Sequence, residues 1–359
     1  MRRGRRWLLP GAAVAVVALV VALLLRPDPE DTPARPAEMD TPTRYSVTYR
    51  VEDHNVQPPR ISTSVVEVDR PYRARVRQFD GEDTDAPLLG GSIWTEAGVY
   101  TITRGGGVQP VQPVPPGRPG ADVRLDVALP FALETERVLA GDEDEVAGRQ
   151  CRVYRSAGPL DGVVFAPPLA DEVATSCVDA VGLILHEEWR FDDVLAQRRI
   201  AQEVGDGVAL TDDVLFGGDP PPIPQGIALA RVTSIDAPAT RDVAVRLPAE
   251  LAGLPVDRAV RVLEADPTED AFAPARRRVR TTYTDGAVLL VVDQIEVLTG
   301  PPAALPEGRA IRIDGLGEGV VAASFDGVVI AVRLDARTTL EVRGAVDPDR
   351  LLDALERLQ

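Results

Sequence analysis

The chain has 359 residues with 56 acidic and 39 basic side chains, every basic one an arginine, and a formal net charge of −17. A surface this acidic repels phosphodiester backbones and anionic headgroups, which excludes nucleic acid as a general partner. Five arginines precede residue 27, so the remaining 333 residues carry 34 basic against 56 acidic groups, a charge of −22, and are long enough for two domains with separate cores.

Arg2, Arg3, Arg5 and Arg6 are followed by nineteen uncharged residues, Trp7 to Leu25. As a helix, that run spans roughly 28 Å, close to the thickness of a bilayer's hydrocarbon layer. The arginines keep the N-terminus cytoplasmic and everything after Arg26 extracytoplasmic, the topology of a single-pass cytoplasmic membrane protein. Leu23, Leu24 and Leu25 run into Arg26 and Pro27 with no small-residue cleavage site, so residues 1–26 read as a short tail and an uncleaved anchor. Residues 27–42 hold Pro27, Pro29, Pro33, Pro36 and Pro42 among polar neighbours, a stalk of extended geometry up to roughly 50 Å long.

From Arg44 the pattern has period two, with Tyr45, Val47, Tyr49 and Val51 on one face and Arg44, Ser46, Thr48, Arg50 and Glu52 on the other. That predicts a half-buried strand. Further strands are expected at 61–68 and 72–79, the latter with Arg73, Arg75 and Arg77 on a solvated face, and a hairpin at 92–95 and 99–103. Connections this short imply an antiparallel sheet. Residues 105–120 read as a Gly- and Pro-rich loop. Leu125, Leu129, Phe131, Leu133, Val138 and Leu139 then predict a short amphipathic helix over 125–139, and Asp142 to Glu145 a solvated acidic turn. Strands resume at 150–155, 173–178, 183–191 and 195–204. The first domain, 43–218, closes on Asp212, Asp213, Val214, Leu215 and Phe216. Cys151 and Cys177, with 25 residues between them in an oxidising compartment, predict a disulfide worth roughly 3–4 kcal/mol.

A Pro-rich linker is expected at 219–240, and a second domain at 241–359. There Arg276 to Tyr283 and Val288 to Ile295 flank Asp285 and Gly286, a tight hairpin signal. A like pair, 320–325 and 328–334, flanks Asp326 and Gly327. Asp347 as N-cap, Pro348 at the first turn and Leu351, Leu352, Leu355 and Leu358 on one side predict a terminal helix covering the sheet.

No set of residues for catalysis emerges. His54 and His186 lack partners at metal spacing, and the run His186, Glu187, Glu188 alternates as a strand instead of completing a zinc-binding helix. Ser324 lacks the flanking glycines of a nucleophile elbow. Gly315, Gly317 and Gly319 precede a strand-rich segment, where a dinucleotide loop requires a helix. The chain is therefore expected to be neither an enzyme nor a cofactor protein.

The order of these elements carries a resemblance. The strands from Tyr45, the segment Gly91 to Thr103, the helical insert at Leu125 to Leu139, and the run Cys177 to Glu188 leading to Val214, Leu215 and Phe216 resemble the superfamily of the lipoprotein carrier LolA, the mycobacterial-type lipid-binding lipoproteins (LppX) and the amino-terminal domain of the sigma-E regulator RseB (MucB). The paired hairpins at Asp285 and Asp326 with the Asp347 helix resemble the smaller carboxy-terminal domain of RseB-like proteins. The resemblance implies a mainly β (α+β) chain: an unclosed antiparallel half-barrel with a helical lid, then a smaller antiparallel sheet with a helix. It implies an apolar concavity that binds an acyl lipid or lipoprotein, with a membrane anti-sigma factor as partner. The residues placed to line it are Tyr45, Val47, Tyr49, Trp94, Phe131, Leu133, Trp189 and Phe191. The expected function is a membrane-tethered, lipid- or lipoprotein-responsive binding or regulatory protein. The alternatives are a LolA-like carrier and a structural protein-interaction module.

Overall fold

The computed structural model describes residues 42–112, 138–156, 172–191, 193–222, 228–233, 244–266, 270–300, 304–324 and 327–358, with residues 119, 122, 129 and 133. The expected anchor at 7–25 and the stalk up to residue 41 lie outside the described residues. Among the described residues no helix is long and apolar enough to cross a membrane.

Two antiparallel sheets make up the described chain. The first contains β1 (Arg44–Asp53), β2 (Arg60–Asp69), β3 (Arg73–Phe79), β4 (Leu88–Trp94), β5 (Val99–Ile102), β6 (Val108–Gln112), β7 (Val138–Val146), β8 (Arg149–Ser156), β9 (Glu172–Asp179), β10 (Ile184–Phe191) and β11 (Val194–Asp206). Their order is β6-β5-β4-β3-β2-β1-β11-β10-β9-β8-β7, so two meanders join where β1 pairs with β11. A short helix, α1 (Asp212–Phe216), follows, capped by Thr211, whose side chain accepts from the Val214 N–H.

β6 and β7 are the two opposite edges of the sheet. Asp122, from the stretch between them, bonds to Tyr45 of β1. The sheet itself is strongly curled. One apolar cluster runs along this face from Ala74 of β3 to Val146 of β7. β7 also approaches β11, with three strands between them in the sheet order. A flat sheet would hold β7 and β11 far apart, so the curl encloses one face. Ends β6 and β7 stay unpaired with each other, which leaves the barrel unclosed.

Several local expectations are corrected. The stretch 105–120, expected as loop, contains β6, held by β5. The acidic run Asp142 to Glu145 is not a turn but the exposed middle of β7, paired with β8. The actual turn lies at Ala147 and Gly148, whose φ angles of 52° and 71° fit the left-handed pair a tight hairpin requires. Of the helix expected over 125–139, Leu129 and Leu133 are helical, but Val138 and Leu139 already belong to β7; most of the span lies outside the described residues. Propensity alone misplaces such segments because pairing with an existing strand overrides it.

The second sheet contains β12 (Ala228–Thr233), β13 (Glu250–Leu251), β14 (Leu254–Asp266), β15 (Asp270–Thr284), β16 (Leu289–Val297), β17 (Arg309–Ile313), β18 (Gly317–Ser324), β19 (Gly327–Arg333) and β20 (Thr338–Gly344). Its order is β12-β14-β15-β16-β20-β19-β18-β17, with β13 on β14; β12 falls within the stretch 219–240. The hairpin at Asp285 and Gly286 forms as expected, its Asp285 carboxylate accepting from the N–H groups of Ala287 and Val288. Helix α2 (Pro348–Leu355) is capped by Asp347, and its Leu351, Ala354 and Leu355 complete a core with Leu290, Val292, Ile330, Leu340 and Val342.

Candidate binding face of the first sheet

Period-two alternation along β1 points Tyr45, Val47 and Tyr49 at the enclosed face, where they are 4%, 0% and 1% exposed. Val66 and Val68 of β2, Ala74 of β3, Leu185 of β10 and Ala201 of β11 join them in one cluster, and Trp94 packs against it. Trp189 and Phe191, on β10, are partly buried, as is Leu133. Phe131 lies outside the described residues. Cys151 and Cys177 form the expected disulfide, Cα atoms 5.4 Å apart on β8 and β9, and both belong to the same cluster.

Asp122 is held against this face by polar groups. Asp122 is 1% exposed. One carboxylate oxygen accepts from the Tyr45 hydroxyl at 2.5 Å and the other from Arg70 Nε at 2.8 Å. Arg70, on the β2–β3 turn, is itself buried, and its N–H donates to Thr43. A charge pair removed from water survives only if its remaining donors and acceptors are satisfied, and the Tyr45 hydroxyl supplies one of them here.

A second polar group lies within the apolar face. Glu187 of β10, 2% exposed, stands directly opposite Arg199 of β11 and Ser176 of β9. Its Oε2 lies 2.6 Å from Arg199 Nε, and the Arg199 guanidinium stacks 5.2 Å from the Tyr49 ring centre. Burial would lower the Arg199 pKa, but the adjoining Glu187 carboxylate outweighs it and holds the guanidinium charged. Burial pushes the Tyr49 hydroxyl well above the usual tyrosine range, and that hydroxyl donates to the Ile184 carbonyl at 2.6 Å.

The opposite face is ionic. Arg73, Arg75 and Arg77, expected to be solvated, are instead partnered by Glu96, Asp212 and Glu67. Arg73 and Arg75 also donate to the carbonyls of Leu210 and Val214, which fastens α1 to the outside of the sheet. Beneath α1, Leu210 and Leu215 pack on Ile93, Tyr100 and Ile102. Beside α1 is an open polar cleft of about 520 Å³ lined by Arg44, Asp69, Arg73 and Asp213 among others. Its arginines already pair with Asp69, Glu96 and Asp212. Among the described residues no group of His, Cys, Asp and Glu is placed to hold a metal ion.

The two sheets touch at the residue after the Arg70–Pro71 pair. The Tyr72 hydroxyl donates to Asp257 at 2.6 Å, and Arg258 stacks 4.7 Å from its ring centre. Burial, with the Asp257 carboxylate, pushes the Tyr72 hydroxyl up to about 12.

Period-two alternation placed Tyr45, Val47 and Tyr49 on the buried face and gave no sign of the polar groups there. Glu187 was within reach, since a carboxylate in phase with Leu185 and Trp189 falls on an apolar face. Asp122 and Arg70 were not, because a bond across 52 residues leaves no local pattern.

No protein-family model matches the sequence, and no curated protein matches it. Solved structures do show likeness. The MucA/MucB complex of Pseudomonas aeruginosa matches at 16% identity and TM-score 0.32, over 87% of this chain and 91% of that one. A structure of MucB matches at 18% identity and TM-score 0.31, over 97% of each chain. A Vibrio parahaemolyticus domain described as an outer membrane lipoprotein-sorting protein domain matches at 9% identity and TM-score 0.23, over 51% of this chain and 93% of that one. Likeness at these identities carries no residue role from those proteins to this chain.

Proposed function

We propose that this chain is a non-catalytic binding protein that holds an acyl chain, of a lipid or a lipoprotein, on the enclosed face of the first sheet. The observation that carries this is the way that face is closed. Its lining of Tyr45, Val47, Tyr49, Val66 and Val68 is apolar and buried, and Asp122 bonds at its edge to Tyr45 and Arg70. Burying such side chains is worth about 1.5–3 kcal/mol each, and an acyl chain laid on that face satisfies the same surface. In this proposal residues 7–25 tether the domains on the outer side of the cytoplasmic membrane, and ligand state is passed to a membrane partner of the anti-sigma-factor kind.

Native mass spectrometry of the chain after gentle purification tests the ligand. The proposal expects a co-purifying acyl species and a rise in Tm when acyl lipids are added. Absence of both overturns it. Membrane fractionation tests the tether: the intact chain is expected to resist carbonate extraction, and removal of residues 1–26 to release it.

A second reading, a pure protein-interaction module, is favoured by one observation. Edge strand β7 is exposed along Leu139 to Glu145 and pairs only on its β8 side in the sheet order. Such an edge can accept a partner strand. If a partner binds equally well to lipid-free and lipid-loaded protein, and proline placed in β7 abolishes capture, this second reading takes over.

A further inference from the structure

Glu187 and Ser176 face each other across β10 and β9, 2% and 3% exposed, and each has one polar atom without a hydrogen-bond partner. Those atoms are Glu187 Oε1 and Ser176 Oγ. The other Glu187 oxygen is taken by Arg199. A buried polar atom left unpaired is costly, so two of them on paired positions of one face are a standing demand for a third polar group. The two atoms also define its chemistry. A carboxylate oxygen only accepts, whereas a serine hydroxyl can donate as well as accept. A single ligand hydroxyl meets both: it donates to Glu187 Oε1 and accepts from Ser176 Oγ–H. A carboxylate or phosphate ligand is disfavoured, since it would set its negative charge against Glu187.

The position suits a bound lipid. Glu187, Arg199 and Tyr49 share one face, with Tyr49 in the apolar cluster and Arg199 stacked on its ring. The Glu187 side chain is 3% exposed and that of Arg199 26%, so the polar group is reached from solvent along the guanidinium. We propose that Glu187 and Ser176 form a specificity subsite for a hydroxyl group on an uncharged acyl lipid. Arg199 acts as the positioning residue that keeps Glu187 aimed. The subsite rests on the acyl-binding function proposed above and adds to it the class of head group accepted.

The test compares two probes with the same chain length: 1-monopalmitoylglycerol, which offers hydroxyl groups, and methyl palmitate, which offers none. Each is titrated calorimetrically into the full chain held in amphipol. The glycerol ester is expected to bind at least about tenfold more tightly, the equivalent of one satisfied buried pair. In Ser176→Ala that ratio is expected to fall to about threefold or less, with methyl palmitate affinity unchanged. Equal binding of the two probes by the unaltered chain overturns the subsite, assigns the two atoms to water and leaves acyl binding intact. A preference that survives Ser176→Ala also overturns it, because the hydroxyl is then read elsewhere. If neither probe binds, acyl binding itself fails and the subsite with it. Should Ser176→Ala fail to fold, the two probes on the unaltered chain still decide.

Discussion

The two sheets cover their apolar faces by different means. On the second, α2 supplies an apolar stripe, and Leu351 and Leu355 are 0% and 1% exposed against strands of the same core. On the first, Asp122 bonds to Arg70 and to Tyr45 of β1. Each sheet also has one buried arginine–aspartate pair, and the pairs differ in reach. Arg280 and Asp293 stand directly opposite each other on β15 and β16. Arg70 and Asp122 are 52 residues apart and join a turn to the stretch between β6 and β7. An apolar stripe releases only when the core opens, whereas a polar pin can open with the sheet intact. The described cover of the second sheet is thus apolar, and the described contact of Asp122 on the first is polar.

The largest expected effects come from the two ion pairs. Asp293→Ala leaves Arg280 buried without its partner and is expected to remove about 3–5 kcal/mol from the second sheet, read by urea denaturation. Asp122→Ala is expected to cost a similar amount, but locally. Hydrogen exchange should rise in the connection 113–137 while β14 to β20 keep their protection, and a hydrophobic dye should bind more strongly. Equal deprotection of both sheets by Asp122→Ala would break the comparison.

Leu351→Ala should cost about 2–5 kcal/mol by leaving a cavity under α2, without raising dye binding at the first sheet. Replacing both cysteines by serine should lower stability by roughly 2–4 kcal/mol, seen as a lower Tm under oxidising conditions that disappears when both proteins are reduced.

The smallest effect is that of acid, and it sharpens the contrast. Burial tends to raise the pKa of Glu52 and Glu96. Hydrogen bonds from Arg198 and His54 with the charges of Arg198 and Arg50 around Glu52, and the hydrogen bond and charge of Arg73 beside Glu96, outweigh it and hold both below the usual glutamate value. A carboxylate depressed in the folded state contributes stability above its unfolded pKa and loses it as pH falls through the folded one. Both glutamates belong to the first sheet and its β4–β5 turn. Hydrogen exchange below pH 4.5, the ordinary glutamate value, is expected to loosen β1 to β5 before β14 to β20. The reverse order would argue that the ionic outer face adds nothing to the first sheet.

Local chemistry made much of this legible. Alternation along β1, the Asp285–Gly286 turn and the Asp347–Pro348 start of α2 each depend on neighbours within a few residues. Segments that depend on a partner were misread. β6 and β7 are strands because β5 and β8 present unpaired backbone to them, and neither Val108 to Gln112 nor the acidic Asp142 to Glu145 announces it. The arginines of β3 were read as solvated because nothing near them in sequence shows that α1, more than 130 residues later, would return to their face.

The amino-acid sequence by itself determined the strand-rich character, the apolar lining of β1, the cysteine pair and the capped terminal helix, since each follows from periodicity or composition over short distances. Only the tertiary structure decided that the sheet curls far enough to bring β7 toward β11 and that Asp122 bonds to Arg70 and Tyr45. It also decided that Glu187 and Ser176 meet with one unpaired atom each. Those outcomes join residues far apart along the chain, and the burial that gives them their energy exists only once the sheet has closed around them.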